Sequence, residues 1–374
     1  MADEKKQPEP KQLQILKAER QLLCASFSPD GTHILAGGMD ANLHRWHEAE
    51  VVVEKVEKKK GGEKKKGEEK KVVEKKIEWQ PLPTMNGHHA WVGALEFHPK
   101  AKRIFTGDSW GQLRCADYEG EKPKTHWSVK NAHDGWLRQI AVDEKHIATV
   151  GRDGAARVWS HDGKRIAEWK GAEEIFAVAI QPDGKRVIFG DAKGVVRVWD
   201  FAAKKIEREF TLDGFYKLAR IQDVCGLTRL VFLNGGKTLL AVGCAPTDGG
   251  TMQGIPTLDW LDYATGKSKN RYQFGVENDA FITDIAEHPD GYLLCGSSGV
   301  TGRGTTFFIR PGEKEAFYTN TKIANIHAVA LHPDKKRFLL TSVNRGSNGN
   351  GRRLDKEGNY IGNHSPVHVM ELPG

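Results

Sequence analysis

One short unit recurs along the chain and constrains the fold more than any other feature. It is an apolar strand, a turn built from Pro, Asp and Gly, and a second apolar strand. Clear copies are Phe27-Ser28-Pro29-Asp30-Gly31, Phe97-His98-Pro99, Ile180-Gln181-Pro182-Asp183-Gly184, His288-Pro289-Asp290-Gly291 and Leu331-His332-Pro333-Asp334. Two weaker copies, Val142-Asp143-Glu144-Lys145 and Phe232-Leu233-Asn234-Gly235-Gly236, bring the anchors to seven. Pro presets φ for the first turn position, and Asp, Asn and Gly tolerate the reversal that follows. Each turn leads into an apolar run such as Ile34-Leu35-Ala36, Val187-Ile188-Phe189 or Phe338-Leu339-Leu340. A Gly-containing segment then precedes a third strand, plainest in Ala155-Ala156-Arg157-Val158-Trp159 and Val195-Val196-Arg197-Val198-Trp199-Asp200. Short strands at even spacing, with no helical periodicity between them, predict an all-β array.

The anchors lie about 70, 45, 38, 52, 55 and 44 residues apart. Only the first interval falls far outside the roughly 40–50 residues of a four-stranded blade. Its excess is residues 50–78, which hold eleven Lys and eight Glu. Val51-Val52-Val53 and Val72-Val73 flank Gly61, Gly62 and Gly67 in that segment. This pattern favours two lengthened strands of blade one meeting in a solvated loop over a charged helix held by i,i+4 pairs. The insertion supplies +3 of the net charge of +7, so the rest of the chain is nearly balanced and gives weak support to a nucleic-acid partner. No apolar run approaches the ~20 residues that span a bilayer. The polar start, Met1-Ala2-Asp3-Glu4-Lys5-Lys6, has no signal-peptide core, so a cytoplasmic location without a membrane partner is expected. Five cysteines with no CxxC pair predict buried apolar residues, not a disulfide framework or a zinc site.

With the Gly87-His88 dipeptide, the Pro-Asp-Gly turns and the Trp199-Asp200 ending, the chain resembles the WD-repeat β-propellers. The resemblance implies a single seven-bladed propeller of four-stranded antiparallel sheets over residues 11–374, preceded by a disordered tail, 1–10. It also implies a structural tetrad of His, Ser or Thr, Asp and Trp in each blade. The full set occurs once, as His133, Thr149, Asp153 and Trp159, and is expected to brace the blade, not to act as a catalytic triad. Blade one keeps Asp40 and Trp46 but has Ala36 at the hydroxyl position. Blade two has Thr106, with Trp110 at the Asp position and Ala116 at the Trp position. Blade four keeps Trp199 alone, and Ile309 and Met370 are expected at the Trp position of the last two blades.

The last blade offers only three strands, near Ile326–Leu331, Arg337–Val343 and Val367–Leu372. Leu13-Gln14-Ile15-Leu16-Lys17 has no partner near it in sequence. The N-terminal strand is therefore expected to complete blade seven and remove a bare sheet edge.

In a propeller the loops around the channel open on one face, and the residue six before each anchor should stand on its rim. These residues are Gln21, Trp91, Trp136, Glu174, Gly226, Phe281 and Asn325. Trp91, Trp136 and Phe281 are the residue types that dominate interface hot spots. Long Gly-rich loops of the last blades add Arg303, Arg345, Arg352 and Arg353, which suit an acidic or phosphorylated segment. The expected function is a non-catalytic scaffold, monomeric, binding a protein or peptide partner and needing no cofactor or metal. Gly235-Gly236-Lys237-Thr238 lacks the earlier glycine of a phosphate loop, and Val300 breaks a nucleophile elbow at Gly296-Ser297-Ser298-Gly299. The alternatives are a propeller hydrolase or lactonase with a channel-bound metal, and a weak nucleic-acid binder.

Overall fold

Each anchor turn joins the first and second strands of a four-stranded antiparallel sheet, and seven such sheets follow one another along the chain. The computed structural model describes residues 9–58, 69–219, 221–248, 253–300, 302–343, 353–354, 356–357, 360–361 and 365–373. The innermost strands are Leu22–Phe27, Val92–Phe97, Leu137–Val142, Ile175–Ile180, Leu227–Leu233, Phe281–His288 and Ala328–Leu331. The second strand of a blade is covered on both faces and reads as an unbroken apolar run; every residue of His33–Gly38 is buried. An outer strand faces solvent on one side and alternates, as in Lys205–Thr211.

The core is divided among the seams between blades. Seven buried clusters occur, one for each pair of adjacent blades, and the cluster joining blade seven to blade one contains Leu22, Phe27, Trp46, Leu339 and Val369. Strand register shows which residue fills the Trp position in each seam. Trp46, Ala116, Trp159, Trp199, Leu261, Ile309 and Met370 stand opposite Ile34, Ile104, Ile147, Val187, Leu239, Leu293 and Phe338. All seven are buried, and an apolar side chain takes the place of the indole in blades two, five, six and seven.

The ring closes through the N-terminus. Lys11–Leu16 pairs antiparallel with Val367–Glu371 and becomes the outer strand of blade seven. Gln14 also clamps blade one, donating from Nε2 to the Trp79 carbonyl at 2.9 Å and accepting the Trp79 N–H at 2.8 Å. The Lys/Glu segment continues two strands of blade one: Leu43–Lys58 and Glu69–Met85 stay paired out to Lys58 and Glu69. Residues 1–8, most of the expected tail, and 59–68, around the tip of that ribbon, lie outside the described residues. One element is not foreshadowed by any sequence pattern, a hairpin of Tyr216–Ala219 and Gln222–Cys225 inserted between blades four and five. No helix among the described residues is long and apolar enough to cross a membrane.

Candidate functional site

A β-bulge near the start of the innermost strand recurs in six blades and sets what the channel presents. In each, one residue of that strand has no counterpart on its neighbour: Leu23, Gly93, Arg138, Phe176, Thr228 and Thr283. A bulge re-aims the side chain it carries. All six, together with His327 of blade seven, line one cavity of about 230 Å³ at the ring axis. The residues expected on the rim stand two positions earlier. Sequence reasoning missed the bulged set because a bulge has no composition of its own.

Of the expected rim residues, the structure brings Trp91 and Trp136 together, with ring centroids 5.9 Å apart and planes at 77°. Their edge-to-face contact lies in a concavity of about 730 Å³ that Met39, Asp40, Arg152 and Trp110 also line. Trp136 approaches blade two where the chain has Gly93; a Cβ there would stand 3.2 Å from its Nε1. Arg138 lies 4.4 Å over the Trp136 ring and 4.9 Å over Phe176, and pairs with Glu174 at 2.6 Å. Phe281 stands apart from the tryptophans, in a neighbouring concavity that it shares with Phe176. Arg303 is exposed, 3.8 Å from Asp279. Arg345 and Arg352 lie outside the described residues, as does the side chain of Arg353.

Trp110 is a correction to the expected tetrad pattern. It does not stand in for the acid of blade two, because Asp108, two residues earlier at the strand end, reaches the imidazole. His88 Nδ1 lies 3.0 Å from Asp108 Oδ2, and its Nε2 lies 2.7 Å from Thr106 Oγ1. Asp108 also accepts the backbone N–H groups of Trp110 and Gln112, both at 3.0 Å. With the buried polar groups satisfied, Trp110 is free to turn outward and is 69% exposed. Three indoles thus reach one concavity where the sequence pointed to two.

In blade three, His133 Nδ1 donates to Asp153 Oδ1 at 2.8 Å. Thr149 Oγ1 lies 2.8 Å from His133 Nε2 and accepts from Trp159 Nε1 at 2.9 Å. Burial opposes the charge on Asp153, but hydrogen bonds from His133 and Arg157 outweigh it and hold the carboxyl well below the usual range. Burial keeps the His133 imidazole neutral near pH 7 by lowering its pKa. Thr149 is fully buried, and its hydroxyl links the imidazole to the indole.

Deeper in the channel, Arg229 pairs with Asp284 at 2.7 Å, and Asp284 Oδ2 accepts the Val329 N–H of blade seven at 3.0 Å. Glu96 faces the same space, where burial raises its carboxyl to about 7 against the pull of Arg229. Burial likewise pushes the thiols of Cys24, Cys115 and Cys225 up to about 12, so none is a thiolate at neutral pH. Among the described residues, no three His, Cys, Asp or Glu side chains converge where they could hold a metal ion.

Seven four-stranded antiparallel sheets around an axial channel define the molecule as a β-propeller. The family model described as "WD domain, G-beta repeat" matches residues 10–47, 79–117 and 163–200. Three segments of the chain are thus similar to WD repeats. It is similar to Protein HIR1 of Eremothecium gossypii, 27% identical over 37% of this chain and 18% of the relative. It is also similar to a Coronin-like protein of Saccharomyces cerevisiae, 25% identical over 60% of this chain and 33% of the relative. Nuclear distribution protein nudF 2 of Penicillium rubens matches at 32% identity over 17% of this chain and 15% of its own length. The chain therefore spans a third or less of the curated relatives it matches.

Proposed function

We propose that this propeller is a non-catalytic platform that holds a protein or peptide partner on the loop face around its channel. The observation that carries this reading is the convergence of Trp91, Trp110 and Trp136 on one concavity. Soluble proteins seldom leave three indoles at one surface depression, and aromatic anchors of this kind carry most of the energy of protein interfaces. The rigid setting, with Trp136 held between Trp91 and Arg138, lowers the ordering cost of binding. Arg303 on the same face suits an acidic stretch of the partner.

Immobilised full-length protein, exposed to extract of its native cell, should capture a reproducible partner identifiable by mass spectrometry. The Trp91→Ala/Trp110→Ala/Trp136→Ala variant should lose that partner, since each anchor of this type contributes about 2 kcal/mol or more. It should keep its far-ultraviolet circular dichroism. Retained capture in the folded variant refutes the aromatic-rim reading.

A further inference from the structure

We propose that the cavity beside the inserted hairpin is a second docking site on this face, shaped for a basic side chain flanked by apolar residues on an extended segment of a protein partner. The inference rests on the reading of the loop face as partner-binding, but it concerns different residues. The cavity measures about 650 Å³, and Phe176, Val224, Leu227 and Phe281 give it an apolar lining.

The hairpin forms one wall of this cavity, and its base is fixed. Phe215 is fully buried beneath it. Tyr216 Oη donates to Asp223 Oδ1 at 2.5 Å, the Lys193 ammonium pairs with the same carboxylate, and Lys193 also lies 4.8 Å over the Tyr216 ring. Its far end is unpartnered: Leu218 is 61% exposed and Ile221 is 94% exposed. A rigid base that holds two aliphatic side chains out in water is a costly arrangement for a monomer and a ready one for an interface.

The charge around the cavity selects the occupant. Glu173, Glu174 and Asp223 line it. Arg138 neutralises Glu174 and Lys193 neutralises Asp223. Glu173 makes no ion pair among the described residues, and burial keeps His327 neutral by lowering its imidazole to about 4. Among the described residues the lining therefore carries one unbalanced negative charge beside an apolar floor. A single Arg or Lys between apolar neighbours complements both features, and an acidic residue is repelled.

The test is an array of octapeptides carrying Arg, Ala or Glu at the fourth position, with Leu, Ile, Val or Phe on either side. It is probed with the full-length protein, and the best Arg peptide is then followed by fluorescence anisotropy. Arg peptides should retain the protein and Glu peptides should not. Glu173→Lys and Ile221→Ser, both surface changes, should each weaken the best peptide about tenfold, and Trp110→Ala should leave it unchanged. Three results overturn the inference: no Arg peptide binds, Glu peptides bind equally, or Trp110→Ala weakens binding as much as Glu173→Lys. Silent peptides together with Trp-dependent capture from extract remove this inference alone. A positive array together with capture indifferent to Trp91 and Trp136 supports this site and removes the tryptophan reading.

Discussion

The hydroxyl of Thr149 ties an imidazole to an indole inside blade three, so a single oxygen settles two buried nitrogens. Thr149→Val keeps the shape and strands both, at a cost of about 1–3 kcal/mol. Urea unfolding should show a lower midpoint at unchanged slope, and Thr149→Ser should recover most of the loss. Thr106→Val should cost less, because Ala116 leaves only His88 to be stranded. Glu96 gives a pH signature of opposite kind. Its carboxyl titrates near 7 in the fold against an ordinary 4.5, so the folded chain keeps a proton that the unfolded chain has released. Stability is therefore lost as pH rises from about 4.5 through 7. Glu96→Gln should match the parent near pH 4 and exceed it progressively toward pH 8, as read from urea midpoints; equal midpoints at pH 8 refute the buried-carboxyl account. The blade-three tetrad was legible in sequence because its four residues keep the family order. The acid of blade two was not, because Asp108 reaches His88 from a different strand position.

At the scale of elements, the anchor turns were readable since turn chemistry is written in adjacent residues. The extended ribbon of blade one was readable too, from valines at both ends and glycines between. Among the described residues its outer part pairs only with itself, which makes it a poor contributor to the core. Replacing residues 51–77 by a short Gly-containing turn should shift the melting temperature by less than about 2 °C. A larger fall would mean that the ribbon supports a blade. The 216–225 hairpin escaped sequence reading for a physical reason. Its tip places Leu218 and Ile221 in water, so apolar residues do not report the buried side there. The bulged residues escaped it as well, because a register shift depends on how two strands meet.

The whole molecule depends on closure. Seven seams each bury a cluster, and the seam between blades seven and one is completed by a strand from the far end of the chain. Deleting residues 1–18 bares the edge of Val367–Glu371 and removes the clamp of Gln14 on Trp79. The truncated protein should unfold at markedly lower temperature or aggregate, as seen by calorimetry and light scattering. An unchanged melting temperature would exclude this mode of closure.

Turn residues and strand periodicity act over a few neighbouring positions, so the amino-acid order alone determined the seven blades and the strand that joins the ends. The proposed binding face was decided only in three dimensions. Trp91, Trp110 and Trp136 meet because adjacent blades curve around one axis, and Phe281 goes to a different depression for the same reason. Glu96, Arg229 and Asp284 share the channel from three separate blades. Such meetings follow from sheet twist, bulges and ring closure, which act across the whole chain and leave no mark in any local stretch of it.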